Sequence, residues 1–356
     1  MFVIDSTENR EIFSLLIPKL VLWYGENKKE YPWRVDATPY HVWVSEIMLQ
    51  QTRIEAALDY YKRFTAELPS VEALAEVDDE RLMKLWQGLG YYSRARNLKK
   101  AALKMMEMHD GELPRSVDAL KKLPGIGEYT AGAIASIAYH QAEPAVDGNV
   151  LRVVSRIIAS YDDIMLPATK KSVTSLLKSV YPTGKDAALL TEGLMELGEQ
   201  ICIPNGEPRC ETCPIAAYCR AFAEGKTSEL PVREVKKEKR REEKTVLLLR
   251  TCEGRYAIVK RAEKGLLANM WEFPSLDGRC ADGDVESYLA EQGFSIESLV
   301  ACGEAEHIFT HIVWHMVGYS VTVDEENGEY LWKSREEILQ DFAIPSAYRY
   351  FIKQLT

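Results

Sequence analysis

Along residues 1–225 apolar side chains return at steps of three and four. The stretches "FSLLIPKLVLWY", "HVWVSEIMLQQTRIEAALDYYKRF", "VEALAEVDDERLMKLWQGLG", "RNLKKAALKMME", "AGAIASIAYH", "VLRVVSRIIA" and "AALLTEGLMELGEQIC" all carry this step. The spacing predicts helices almost throughout, and Pro and Gly punctuate the joins. Between 226 and 244 the apolar positions fall away. "KTSELPVREVKKEKRREEK" holds eight basic and five acidic side chains and reads as a charged linker. Past 245 the period shortens. "KTVLLLRT", "RYAIVKR", "HIVWHMVGYSVTV" and "EYLWKS" are brief β-rich runs, with the turns "CEGR" and "EENGE" between them. Two helical pieces, "DGDVESYLAEQGF" and "SREEILQDF", interrupt them. The pattern predicts a multidomain chain: an all-α domain over 1–225, a linker over 226–244, and a smaller α+β domain over 245–356. No internal repeat is visible.

Composition agrees with two full cores. The chain has 356 residues, 46% hydrophobic and 28% charged, as in a soluble globular protein. A net charge of −10 argues against a nucleic-acid partner at first sight. Local patches rather than the total set phosphate contacts, so that case has to rest on motifs. The start "MFVIDSTENREIF" carries acids and no apolar run of the kind a secretory leader needs. Nor does any stretch reach the roughly 18 apolar residues of a membrane span. The expectation is a cytoplasmic protein with no membrane partner, in a compartment where thiols stay reduced.

That makes "CIPNGEPRCETCPIAAYC", residues 202–219, informative, because it holds four of the seven cysteines. Cys210 and Cys213 form a C-x2-C pair, Cys219 follows after five residues, and Cys202 precedes by seven. Four thiolates so placed can wrap one soft metal centre. A structural zinc usually takes two C-x2-C pairs, whereas a [4Fe–4S] cluster accepts uneven spacing. Chance clustering of buried cysteines is the third reading. Cys252, Cys280 and Cys302 are scattered and read as ordinary small residues.

Three other stretches carry chemistry. In "LKKLPGIGEYTAGAIASIAYH" a helix meets a tight turn over Leu123–Gly127, and a second helix starts at once. Gly125 and Gly127 permit the turn, which leaves backbone N–H groups free for a phosphate; a simple packing corner is the bland alternative. In "VWVSEIMLQQT" Glu46 stands in a helix with almost no polar face. Burial would raise its pKa and make it a general-acid candidate, unless a structural Arg satisfies it. Asp147, in "EPAVDGNVLRVVSRI", precedes a helix, where N–H donors and the dipole keep a carboxylate ionised; an ordinary N-cap reads the same. One acid pushed up and one held down is the pairing that sugar–base bond cleavage wants. "QGLGYYSRARNLKK" sets Tyr91 and Tyr92 beside Arg94, Arg96, Lys99 and Lys100, suited to stacking and phosphate contact or to a core tyrosine on a solvated helix.

Taken in order, the LPGIG hairpin, Asp147 and a terminal four-cysteine loop resemble the helix-hairpin-helix DNA glycosylases with an iron–sulfur loop, over residues 20–225. The hairpin would lie at about 116–140 and the cluster loop at 202–219. That superfamily binds its cluster through C-x6-C-x2-C-x5-C; this chain has one residue more in the first gap, a loop insertion in "IPNGEPR". The endonuclease III branch carries a Schiff-base lysine two residues after the last hairpin glycine, where this chain has Tyr129. "YPWR", "VWVSEIMLQQTR", "GLGYYSRARNL" and "AVDGNVLRV" resemble instead the MutY-type adenine DNA glycosylases.

The resemblance implies a fold, a reaction and a set of roles. A [4Fe–4S] cluster would sit on Cys202, Cys210, Cys213 and Cys219. Glu46 would protonate adenine, Asp147 would stabilise or capture the sugar cation, Tyr129 would hydrogen-bond at that pair, and Asn149 would orient groups around Asp147. Glu192 would read the flipped adenine. Gln51 and Tyr91 would wedge into the stack, with Arg34, Thr52 and Arg53 nearby. The family adds a C-terminal Nudix-like domain, which "GLLANMWEFPS" matches. The following "SLDGRCADGDVESYLAEQGF" lacks the metal-holding REXXEE run, so the domain would bind rather than hydrolyse. Phe309-Thr310-His311 stands where the family has the 8-oxoguanine-reading Phe-Ser-His. The implied protein is a monomeric, monofunctional glycosylase of base excision repair. It would act at the bacterial nucleoid on duplex DNA holding adenine opposite 8-oxoguanine or guanine. A bifunctional pyrimidine glycosylase-lyase, a non-catalytic iron–sulfur DNA sensor and a nucleotide pyrophosphatase are the alternatives; Tyr129, the two carboxylates and the missing REXXEE run oppose them in turn.

Overall fold

A computed structural model describes residues 4–234 and 238–356. Residues 1–3, at the head of the stretch read for a leader, and 235–237, inside the charged segment, lie outside the described residues. The chain divides into two compact units, Met1–Glu76 with Asn97–Val235 and Val77–Arg96 with Lys236–Thr356. The second unit therefore takes in a piece of the region of helical periodicity. That piece is tied by side-chain donors. Lys84 Nζ donates to the carbonyls of Leu339 (2.5 Å) and Phe342 (3.1 Å), Gln87 Nε2 to that of Ile344 (2.8 Å), and an Arg96 N–H to that of Ala268 (2.8 Å).

The first unit is helical. Helices Thr7–Asn27, Gly148–Ile157 and Lys185–Gln200 turn their apolar stripes inward, and Phe13, Leu16, Leu20, Val150, Val154, Leu190, Leu194 and Leu197 meet in one core. Each buried Leu or Phe of this kind contributes roughly 1.5–3 kcal/mol relative to exposure. Ser6, Thr38 and Asp147 cap their helices by accepting from the N–H groups of Asn9, His41 and Val150. Helix Pro39–Leu49 is buried all round from Val42 to Met48, which carries Glu46 inside with its apolar neighbours.

The hairpin runs from Val117–Leu120 to Glu128–Ala133, and the second helix widens into a π turn over Ile134–Ala138. Gly125 sits at φ +78°, and a Cβ there would lie 2.7 Å from Cβ of Asn97, so this turn position requires glycine.

The second unit is built on a seven-stranded sheet: β1 (Arg240–Thr251), β2 (Tyr256–Lys260), β3 (Trp271–Glu272), β4 (Ser275–Asp277), β5 (Ile296–Ile308), β6 (Ile312–Val323) and β7 (Leu331–Lys333). The order is β3-β2-β1-β6-β5, with β4 paired to β1 and β7 to β2. β1 runs parallel to β6, and β5 antiparallel to β6. Side chains of β1 alternate between two cores. Val246 and Leu248 join Phe273, Trp314 and Phe351 on one face; Leu247 and Leu249 join Val285, Leu289 and Trp332 on the other. A strand buried on both faces reads as an unbroken apolar run, which is why "VLLL" shows no alternation.

Besides the short strands β3 and β4 and the placing of 77–96, two features differ from the pattern-based expectation. β1 begins at Arg240, so the last residues of the charged segment are strand, in register with Ile312–Met316. β5 is absent from the sequence-based set of strands. Its side chains are mostly exposed or half-buried, and it is held by backbone pairing to β6, which leaves little hydrophobic signal.

Candidate active site

One cavity of about 410 Å³ opens in the first unit, and Arg34, Glu46, Gln51, Thr52, Arg53, Tyr129, Asp147, Asn149 and Glu192 all line it. These residues are separated by up to about 160 positions in the chain and come from five helices and the segments at their ends. Gly125 and Gly127 are in the hairpin turn and do not line the cavity. Trp33, Met195, Glu196 and Glu199 line it too and escaped the sequence reading. Glu196 stands four residues from Glu192 on the same helical face, but that spacing alone does not mark it as buried.

Glu46 is 8% exposed. Tyr129 donates its hydroxyl to Glu46 Oε2 at 2.6 Å. Burial pushes Glu46 up to about 7, against the Tyr129 bond, with Asp147 and Glu192 adding to the rise. The N-cap position of Asp147 predicts a carboxylate held down, and here the structure differs. Burial raises Asp147 as well, outweighing its hydrogen bonds from the backbone N–H groups of Val150 and Asn149 and from the Asn149 amide. Two of those bonds measure 2.8 Å (Val150 N to Oδ1) and 3.0 Å (Asn149 Nδ2 to Oδ2). Both carboxyls are thus raised, but unequally supported. Glu46 has one hydroxyl donor, whereas Asp147 has three N–H donors and the nearby Arg152 charge. Where two like charges share a site and one proton, the better-donated carboxylate is the one that ionises.

Arg34 sits between two further carboxylates. Its Nε lies 3.7 Å from Glu192 Oε1, and its NH2 donates to Glu196 Oε2 at 2.8 Å. Burial raises Glu192, with Arg34 working the other way.

The cysteine loop closes a second, smaller cavity lined by Cys202, Cys210, Cys213 and Cys219 together with Val153, Ile157, Leu197 and Ile215. Burial pushes the Cys213 and Cys219 thiols up to about 12 and about 11. An Arg156 N–H donates to Cys202 Sγ at 3.2 Å. Arg152 ties the loop to the first cavity, donating to the Cys202 carbonyl (2.7 Å), the Gly198 carbonyl (2.7 Å) and Asn149 Oδ1 (2.9 Å). Among the described residues no three Cys, His, Asp or Glu side chains come close enough to share a single metal ion.

Residues Tyr91, Phe309, Thr310 and His311 belong to the second unit. Phe309–His311 is the three-residue turn between β5 and β6. The Phe309 ring packs edge-on against Trp314 (4.8 Å), Thr310 and His311 are exposed, and the Tyr91 and Thr310 hydroxyls hydrogen-bond at 2.7 Å. Gln51 and Tyr91 hold φ of +57° and +47°, strained values for non-glycine residues. Tyr92 is core, and Arg94 is buried, donating to the carbonyls of Leu89 and Gly90. Arg94 and Arg96 thus donate to backbone carbonyls and Tyr92 is core, which is nearer to the bland of the two readings of this stretch.

Comparison with known proteins fits this arrangement. Residues 44–182 match the HhH-GPD superfamily of base excision DNA repair proteins, and 245–354 match the NUDIX domain. An adenine DNA glycosylase of Mus musculus is 32% identical over 86% of this chain and 70% of its own length; one of Buchnera aphidicola (Acyrthosiphon pisum) is 30% identical over 90% and 91%. The chain belongs to the adenine DNA glycosylase family. A member from Arabidopsis thaliana is 35% identical over 82% of this chain, which spans 55% of that longer protein. In fold, an endonuclease III solved in a non-covalent DNA complex covers 61% of the chain at a TM-score of 0.52 and 23% identity. A thermostable thymine-DNA glycosylase gives 60%, 0.54 and 24%. Both fit the all-α half, and the NUDIX match fits the α+β half. No helix among the described residues is long and apolar enough to cross a membrane.

Proposed function

We propose that the first-unit cavity removes adenine from duplex DNA in which it faces 8-oxoguanine or guanine, without cutting the strand, and that the protein acts as a monomer. The observation that carries this reading is the convergence of Glu46, Tyr129, Asp147 and Glu192 on one cavity large enough for an extruded base. Glu46, which burial lets keep its proton up to about pH 7, gives that proton to a ring nitrogen of adenine, with Tyr129 holding a carboxyl oxygen. The N-glycosidic bond then breaks with its electron pair moving onto the protonated base. Asp147 stands as the anion beside the oxocarbenium-like sugar, and Asn149 fixes its orientation. Water completes the hydrolysis at the sugar carbon. No lysine occupies the Tyr129 position, so no imine with the sugar is expected there.

The cysteine loop fits a [4Fe–4S] cluster. Its four thiols line one cavity, and four thiolates at uneven spacing are the ligand set such a cluster takes. Such a cluster would order the loop that Arg152 and Arg156 tie to the active-site helix. Phe309, Thr310 and His311 would read the opposite base. Gln51 and Tyr91, whose strained backbone suits a functional contact, would enter the stack.

Single-turnover release of free base from duplexes with A opposite 8-oxoguanine, A opposite G, or an oxidised pyrimidine tests the reading. Release of adenine from the first two, with little borohydride-trapped adduct, is expected. Release of the pyrimidine with efficient trapping would favour the lyase reading instead.

A further inference from the structure

Glu192 and Glu196 stand one turn apart on helix Lys185–Gln200, and a single guanidinium faces both. Arg34 makes its close bond to Glu196 at 2.8 Å and stays 3.7 Å from Glu192. Its third nitrogen, NH1, is buried without a hydrogen-bond partner. The Tyr31 and Tyr24 rings lie 4.9 and 5.5 Å from the guanidinium carbon, and its side chain is only 10% exposed. The guanidinium is therefore nearly enclosed and opens only where Arg34 lines the cavity; the two anions beside it are the two glutamates.

The glutamates are not equivalent. Glu196 is 2% exposed and is served wholly from within the protein, by Arg34, by the Gln200 amide and, at 3.7 Å, by Lys29. Glu192 is more open, at 14% exposed, and takes Arg34 only at 3.7 Å, with the Tyr24 hydroxyl as another neighbour. A guanidinium and a carboxylate that can meet two-pronged usually do so. Here the stronger bond is made with the carboxylate that has nothing else to recognise.

We propose that Glu196 is a positioning residue that keeps Arg34 off Glu192. This leaves a free acceptor on Glu192 and a free donor on Arg34 side by side in the cavity wall. Such a pair matches a purine edge that offers one donor and one acceptor, as adenine does through N6 and N7. Without Glu196 the guanidinium closes on Glu192, and both groups are lost to the substrate together. The inference rests on the base-excision reading above for the nature of the ligand, but not for the movement of Arg34.

The test uses the full chain and single-turnover excision of adenine opposite 8-oxoguanine. Glu196→Gln should raise the half-saturating DNA concentration by about tenfold, the scale of one lost charged hydrogen bond, while the saturating rate falls by less than about threefold. Glu196→Asp should recover part of the affinity. Glu192→Gln combined with Glu196→Gln should be no weaker than Glu192→Gln alone, because both act through the same contact. A crystal structure of DNA-free Glu196→Gln should show Arg34 two-pronged on Glu192. Should that variant fail to fold, Glu196→Asp carries the same measurements. Wild-type affinity in the folded variants, a loss confined to the saturating rate, additive effects, or an unmoved Arg34 would each overturn the proposal. If the wild-type chain released no adenine, the functional reading would fail, while the crystallographic result would still decide the role of Glu196.

Discussion

In the first unit Glu46 is pushed up to about 7, because burial strips its water and the Tyr129 hydroxyl bond does not make up for it. In the second unit Glu337 is held down to about 2. It is the third residue of helix Arg335–Asp341, accepts from the Ser334 N–H at 2.8 Å and pairs with Lys333 at 3.0 Å in open solvent. The same side chain differs between the two units by several pKa units. A capping box uses its carboxylate as a permanent anion that satisfies helix N–H groups. A carboxyl placed in an apolar helix is instead kept short of donors, so that it keeps its proton to a much higher pH. The contrast recurs in larger form. The first unit gathers Glu46, Asp147, Glu192, Glu196 and Glu199 around one cavity, whereas in the second Glu304 pairs with Arg279 and Asp277 with Lys244 at the surface.

The strongest way to break this contrast is to remove the chemistry of the buried acids. Glu46→Gln should slow adenine release by about 100- to 10,000-fold, the usual range for a general acid. Asp147→Asn should lose at least as much, and both variants should still bind the mismatch in a gel-shift assay. Near wild-type release by either would contradict the assignment. Next in size, Cys213→Ser should lose iron, the visible absorbance of the protein and DNA affinity together; stoichiometric zinc without iron in the wild type would contradict the cluster.

A smaller effect is expected from the second unit. Phe309→Ala with His311→Ala should lower the preference for 8-oxoguanine over guanine by about tenfold, the scale of one or two base contacts. Activity on A opposite G should be largely kept. Equal loss on both substrates would assign these residues to folding.

The smallest effects separate the two glutamates by the sign of their pH dependence. Glu46 has a raised pKa, so its neutral form stabilises the fold fully below the unfolded value near 4.5, and that contribution is lost as pH rises through about 7. Excision should fall over the same upper range, and Glu46→Gln should melt higher than wild type at pH 8 but not at pH 4. Glu337 has a depressed pKa, so its contribution is present above about 4.5 and lost as pH falls toward 2. Glu337→Gln should therefore lower the melting temperature at pH 7, and the difference should shrink in acid. Thermal melts of both variants at several pH values check the two signs together.

Much of the site was legible from local pattern. Glu46 drew notice because a carboxylate among Val42, Trp43, Val44, Ile47 and Met48 has nowhere to go but inside, and helix burial bears this out. The four cysteines were legible by spacing, and the LPGIG turn by the backbone freedom Gly125 needs. Glu196 was not, because nothing local tells a buried glutamate from a solvated one four residues away on an otherwise mixed helix. β5 was missed for the converse reason: it is held by backbone pairing, which leaves no trace in side-chain periodicity.

Neighbours within a turn or two are enough to set helix and strand periods, caps, the hairpin, and which residue types are present to do chemistry. The balance of long-range terms is set by the closed fold. The N-cap of Asp147 pulls its pKa down through bonds within three residues, yet burial by helices far along the chain pushes it up and wins. Arg34 meets Glu196 across about 160 residues. Desolvation and pairing of charge depend on which atoms surround a group in space, and that is settled only once the whole core has closed around it.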